Sequence, residues 1–303
     1  MEPIVVIVGF LGAGKTTLLK KLTEYYLQNH WDPFVILNDY QNANIDSQYF
    51  LDLLDKEKIN PLSGSCICCS GVTELRQLVN NIPERNKGIT FIEANGTTDA
   101  CTLMEFLGVG LRKGFTPAIQ VSIIDARYWQ KRGHHNDLEA NQIQTSSLII
   151  LNHAIEVSIE RKKDILEEIR SLNPYAIVKD WESLEIESLP ELIPSANKVD
   201  TIDHLKFHWS SCSVDLPNPL SSKVLHRILE KVPPQILRIK GCTIIDEDPH
   251  YSFIERIPDG KIFIRPYYGE LISGPQMVLI GPGSNPIEIE EIIKKEINFE
   301  KES

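Results

Sequence analysis

No stretch of this 303-residue chain approaches the roughly 18 consecutive apolar residues that a bilayer crossing needs. A membrane-spanning protein is therefore not expected. The apolar run near the start, Ile4 to Val8, has no basic region before it and leads into a glycine loop, so it reads as a strand and not as a signal peptide. The expected compartment is the cytoplasm. Positive charge is scarce: 31 Lys and Arg face 42 Asp and Glu, and the net charge of −11 argues against a broad nucleic-acid or membrane surface. Cysteine is scarce too, yet three of the six fall within four positions. That clustering suits a metal or redox site in a reducing compartment better than a disulfide framework, and it is not the spacing of a zinc finger.

What is present starts with Gly9-Phe10-Leu11-Gly12-Ala13-Gly14-Lys15-Thr16-Thr17, followed by a helical pattern through Leu18, Leu19 and Leu22. Glycine, four residues, then Gly-Lys-Thr is the spacing of a phosphate-binding loop between a strand and a helix. The backbone of Gly12, Ala13, Gly14, Lys15, Thr16 and Thr17 is placed to wrap an anion at the positive end of the helix. Lys15 is placed to reach the outer phosphates, and the Thr16 hydroxyl to ligate Mg²⁺. Nucleoside triphosphate binding is the first expectation.

Further short apolar runs follow at Phe34–Leu37, Ile89–Ile92, Ile119–Ile124, Leu148–Leu151 and Ala176–Val178, separated by helical segments. This alternation predicts an α/β fold, a mostly parallel sheet with helices on both faces. After the second run, Asn38 to Asp46 is polar; Asp39 is a candidate to meet the Mg²⁺ held by Thr16, and an Asn/Asp turn is the other reading. Glu93 ends the third run, placed to orient Mg²⁺ or an attacking water, and Gly96 lets the backbone approach the γ-phosphate. Cys66, Cys68 and Cys69 precede a helix expected over about Val72 to Asn81. A helix N-terminus favours thiolate, and three sulfurs select a soft ion such as Zn²⁺ or Cu⁺ with one position left open; buried or redox-labile thiols are the alternative.

His134 and His135 read as a solvated surface pair. Residues 181–203, rich in acids with Pro190 and Pro194, read as a linker between a nucleotide-binding domain over 1–180 and a smaller α+β domain over 204–303. That second domain is expected to carry helices over Ser221–Lys231 and Ile287–Ile297 and several antiparallel strands. It shows no catalytic constellation, and Cys212, Cys242, His204 and His208 read as core or surface residues.

Together these residues resemble the CobW-like P-loop GTPases that handle metals, relatives of the nickel-insertion GTPases for urease and hydrogenase. The resemblance covers nearly the whole chain and rests on the Gly9–Thr17 loop, Cys66-Ile67-Cys68-Cys69, Glu93 to Gly96, Arg238-Ile239-Lys240-Gly241 and Val278-Leu279-Ile280-Gly281, with Leu172-Asn173-Pro174-Tyr175-Ala176 resembling a segment near the base pocket. It implies GTP hydrolysis with Mg²⁺, coupled to delivery of a divalent metal, Zn²⁺ or Co²⁺, to a client metalloprotein. Lys15, Thr16, Glu93 and Asp39 would serve catalysis, Asn152 the base, and Cys66, Cys68 and Cys69 the cargo. Where relatives carry Asn-Glu-Phe-Gly-Glu, this chain has Asn38-Asp39-Tyr40-Gln41-Asn42, and where they carry Asn-Lys-x-Asp it has Asn152-His153-Ala154-Ile155. Isoleucine in place of the base-binding acid predicts a weakened preference for guanine, so ATP stands beside GTP. A non-catalytic nucleotide- and metal-binding module that regulates a client is the competing expectation.

Overall fold

The structure, a computed structural model, describes residues 1–38, 50–62, 71–108, 111, 114–195, 210–233, 236, 238–246, 248–257, 260–267, 274–281 and 286–301. The chain forms two compact units. The first holds strands β1 (Ile4–Val8), β2 (Asp32–Leu37), β3 (Ile59–Pro61), β4 (Gly88–Glu93), β5 (Ile119–Asp125), β6 (Leu148–Asn152) and β7 (Ile177–Asp180), and helices α1 (Lys15–Gln28), α2 (Gly71–Asn81), α3 (Ala100–Leu107), α4 (Asn136–Gln144) and α5 (Ile159–Leu172). All seven strands run parallel in the order β3-β2-β4-β1-β5-β6-β7.

Every residue of β1, β4 and β5 is buried, as expected for strands covered on both faces. Successive side chains of β1 alternate: Ile4, Val6 and Val8 join Leu75 and Val79 of α2 and Leu103 and Leu107 of α3 in one core. A second core sets Ile149 and Leu151 of β6 against Ile165 and Ile169 of α5. Because β1 pairs with β4 on one side and β5 on the other, the loop after β1 lies where the strand order reverses. In an open parallel sheet, ligands bind at that point, beyond the carboxyl ends of the strands.

Residues 181–191 depart from the linker reading. They form two 3₁₀ turns, Trp181–Ser183 and Ile186–Glu191, that pack on the first unit. Ile186 and Leu189 are buried, the Tyr26 hydroxyl donates to the Ile186 carbonyl at 2.8 Å, and Lys21 lies 5.1 Å over the Trp181 ring. Short turns carry no apolar period, so acids and prolines dominate the sequence of this stretch.

The second unit is an antiparallel sheet of β8 (Ser210–Asp215), β9 (Arg238–Ile244), β10 (Tyr251–Arg256), β11 (Ile262–Tyr267) and β12 (Gln276–Gly281), in the order β11-β10-β9-β12-β8, with helices α6 (Ser222–Lys231) and α7 (Pro286–Lys301). Val224, Leu225, Ile228 and Leu229 of α6 and Ile289 and Ile293 of α7 cover Ile239, Ile254, Met277 and Leu279. Cys242 is buried, and burial pushes its thiol up to about 12, the behaviour of a core residue. His204 and His208 lie outside the described residues, as does the Cys212 side chain.

Glu296 joins the two helices, accepting hydrogen bonds from Lys231 and, at 3.0 Å, from Arg227 Nε. These bonds, that of Lys231 foremost, hold its carboxyl below the usual carboxylate range. The folded-state pKa is depressed, so the stabilisation is complete above the unfolded carboxylate's pKa and is lost as pH falls through the folded value. Glu296→Gln is expected to lower the thermal midpoint by a few degrees at pH 7 and to narrow that gap towards pH 3. Unfolding curves of both proteins across this pH range provide the check.

Candidate nucleotide-binding site

Backbone geometry builds the first part of the site. Ala13 N–H donates to the Phe10 carbonyl at 3.1 Å, closing a tight turn in which Gly12 has φ 79° and Gly14 φ 108°. Both values lie where glycine is favoured. No hydrogen bond runs from the N–H of Leu11, Gly12 or Gly14 to another described residue. Helix α1 then starts with Gly14 as its N-cap, with no capping side chain and no acid in its first turn. Free donors and an uncompensated helix dipole make this an anion site, so the residues fit a polyphosphate.

Lys15 is buried, and its Nζ donates to the carbonyls of Gly9 at 2.9 Å and Phe10 at 3.3 Å. The ammonium is thus held along the loop that it serves. The Thr16 hydroxyl donates to Glu93 Oε1 at 2.8 Å, across from the end of β4. Glu93 is itself buried, and its carbonyl accepts from Asn38 N–H at 2.9 Å, which ties the ends of β2 and β4 together. From β6, Asn152 Nδ2 donates to the Ala13 carbonyl at 2.9 Å. Gly96 packs so closely on the loop that a Cβ there would lie 2.8 Å from Leu11 N and 2.5 Å from its Cδ2. Lys15, Thr16, Glu93, Gly96 and Asn152 therefore converge around one glycine loop, while the Thr17 side chain is exposed. Asp39, Cys66, Cys68 and Cys69 lie outside the described residues. Among the described residues, no group of three or more His, Cys, Asp or Glu could hold a metal ion.

Several charged residues at this end of the sheet were not singled out by sequence. Arg127 donates to both carboxylate oxygens of Asp125, at 2.9 and 2.7 Å, and to Glu156 at 3.0 Å. Glu156 also meets His153 Nδ1 at 2.6 Å, and these partners, His153 first, lower its pKa. Ile155, in the place of the base-binding acid, is 80% exposed. On the other side, Arg132 stacks 4.4 Å over the Phe10 ring and donates from Nε to Glu139 at 3.1 Å. Burial raises the Glu139 pKa, with Arg132 opposing. His135 belongs to this cluster: it is buried with its ring 6.0 Å from Phe10, which corrects its reading as a surface residue. Phe10 provides an apolar plate that a cation and an imidazole both cover; pattern reading sees only a hydrophilic stretch there.

The resemblance of Leu172–Ala176 to a segment near the base pocket also needs correction. Asn173 is buried, with Nδ2 donating to the Ile143 and Ser146 carbonyls at 2.8 and 2.9 Å, and Oδ1 accepting from Ala176 N–H at 3.1 Å. It clips the end of α5 at the start of β7, whereas Asn152 stands at the opposite end of the neighbouring strand.

A parallel sheet whose first strand turns through a glycine loop into an uncapped helix, with lysine inside the loop and a threonine–glutamate pair beside it, is the nucleotide-binding domain of a P-loop NTPase. A family model described as the CobW/HypB/UreG nucleotide-binding domain matches residues 3–179, and the chain belongs to that family. Among similar proteins, "Zinc-regulated GTPase metalloprotein activator 1" of Dictyostelium discoideum is 28% identical over 213 residues, 57% of this chain and 44% of that protein. The match thus spans less than half of that relative. "Zinc chaperone YjiA" of Escherichia coli (strain K12) is 27% identical over 279 residues, 82% of this chain and 85% of that protein. The crystal structure of Zn(II)-bound YjiA GTPase from E. coli superposes with a TM-score of 0.41 at 18% identity, covering 97% of this chain and 99% of that one. Among the described residues, no helix is long and apolar enough to cross a membrane.

Proposed function

We propose that this chain is a nucleotide-dependent metallochaperone, which hydrolyses a nucleoside triphosphate at the glycine loop and passes a divalent transition metal, Zn²⁺ or Co²⁺, to a client metalloprotein. The observation that carries the reading is the Thr16–Glu93 hydrogen bond of 2.8 Å beside the buried Lys15. Hydroxyl and carboxylate oxygens are the hard donors that Mg²⁺ takes, and Mg²⁺ held by Thr16 and Asp39 would neutralise charge on the β and γ oxygens. The chain's own groups do the rest. Backbone N–H groups of the loop bind the phosphates, Lys15 offsets the charge that builds up on the transferring group, and Glu93 orients the attacking water.

Cys66, Cys68 and Cys69 are the proposed cargo ligands, a thiolate set suited to Zn²⁺ or Co²⁺. The two relatives named for zinc support that choice of class. The segments between residues 38 and 99 would make metal affinity depend on nucleotide, and by linkage the metal then changes nucleotide affinity by the same factor.

The base region motivates a second reading, in which the chain uses nucleotide as a ligand without turnover. Ile155 is exposed and Glu156 is engaged by His153 and Arg127, so no acid at the Ile155 position receives the guanine donors. Steady-state phosphate release from GTP and from ATP separates the two. Slow release above the background of Lys15→Ala is expected, with discrimination between the bases of less than about a hundredfold. Absence of release from either nucleotide would leave the binding module as the function.

A further inference from the structure

Helix α4 reaches into the site by way of two adjacent amides. Gln142 is buried and its Nε2 donates to the carbonyls of Gly96 at 3.0 Å and Thr98 at 3.1 Å. Both partners are carbonyl oxygens, so the amide must present its nitrogen and spends both protons on the loop that follows Glu93. Asn141, also buried, accepts from Ala100 N–H at 3.1 Å through Oδ1 and donates from Nδ2 to Cys101 Sγ at 3.2 Å, holding the start of α3.

The anchor behind these amides is equally specific. The Gln142 carbonyl accepts from Gln120 Nε2 at 2.6 Å and Ser122 Oγ at 2.7 Å, both on β5, and Ser146 Oγ completes the network at 3.0 Å from Gln120 Nε2 and 2.7 Å from Ser122 Oγ. All of these groups are buried. On the other side, Gly96 abuts Leu11 with no room for a methyl group. Polar contacts thus run without a break from the buried strand β5 through Gln142 to Gly96, and Gly96 rests on the phosphate loop.

We propose that Gln142 is a positioning residue for nucleotide hydrolysis: it fixes the segment from Glu93 to Asp99 against the phosphate loop, so that Glu93 is held where water must be oriented. This rests on the hydrolytic reading given above. Gln142 itself does not touch the phosphate loop, so its loss is expected to slow the chemical step and to spare binding. Such a split separates an interaction needed in the transition state from one used in uniform binding.

The test compares the wild type, Gln142→Leu and Ile143→Val. Ile143→Val trims a buried apolar side chain of α4 in the core it shares with α5, outside the polar network, and so controls for damage to α4. Gln142→Leu is expected to lower kcat about tenfold with nucleotide Kd changed less than about threefold, whereas Ile143→Val keeps the wild-type kcat. In nucleotide-free protein, exchange of the Gly96, Thr97 and Thr98 amides is expected to quicken in Gln142→Leu alone. Equal kcat and equal exchange in the two variants would overturn the proposal, and so would a fall in affinity that matches the fall in kcat. If the wild type shows no turnover, it is the hydrolytic reading that fails; exchange still decides whether Gln142 holds the loop, and unchanged exchange would remove that role too.

Discussion

Lys15→Ala is expected to lower steady-state triphosphate hydrolysis by about 10²–10³-fold. The ammonium is the one positively charged side chain that the loop itself supplies, and it is held inside by the Gly9 and Phe10 carbonyls. A cation in a buried, low-dielectric setting acts on developing phosphate charge far more strongly than one in water, so no surface residue replaces it. Removing it leaves two carbonyls without this donor, while β1 stays buried along its length and α1 keeps Leu18, Leu19, Leu22 and Tyr26 in the core. Thermal unfolding should therefore change little while turnover collapses. A variant that keeps more than a tenth of wild-type turnover would mean that phosphate chemistry does not occur at this loop.

Gly9→Ala is expected to act on folding instead. A Cβ at Gly9 would sit 2.3 Å from the carbonyl oxygen of Ile123 and 3.0 Å from its Cγ2. The oxygen belongs to β5, a strand buried along its full length and paired on both sides, so it has little freedom to retreat. Gly9 also has φ 153°, a conformation that L side chains rarely adopt. Steric conflict and strain together predict a loss of roughly 3 kcal/mol or more, equivalent to about 10 °C in thermal midpoint for a unit of this size. Differential scanning calorimetry reads this directly, and a shift below a few degrees would show that the turn after β1 relaxes more easily than its packing implies.

Much of the first unit was legible because its strands are uninterrupted apolar runs closed by polar or glycine residues. Val8 gives way to Gly9, Ile92 to Glu93 and Leu151 to Asn152, so each strand announced its end. Glu93 was found in this way and Asn152 through the family resemblance, and the structure ties one to Thr16 and the other to Ala13. β3 escaped notice because Ile59-Asn60-Pro61 is three residues long and closes on a proline, with nothing to set it apart from a loop. The docking of residues 181–191 was hidden for a similar reason: Ile186 and Leu189 are only two apolar side chains, and the Tyr26 hydroxyl that meets the Ile186 carbonyl is distant in sequence.

Charge was harder to place than hydrophobicity. Arg132, His135 and Glu139 look like the solvated start of a helix until Phe10 is seen beneath them. Gln142 carries no signature at all, since a glutamine on a helix is usually exposed and only the fold shows two loop carbonyls opposite it. Resemblance alone set Leu172–Ala176 near the base pocket, and only the direction of β7 shows Asn173 at the other end of the sheet.

Coupling of metal to nucleotide in this chain is tested by a titration of metal-free protein with Co²⁺, read by cobalt–thiolate absorbance without nucleotide and with Mg²⁺ plus GTP or ATP. A Co²⁺ affinity that shifts by about fivefold or more with at least one nucleotide is expected, with a thiolate band that is absent from Cys66→Ala. Equal affinity in every nucleotide state, or a band undiminished in Cys66→Ala, would contradict it.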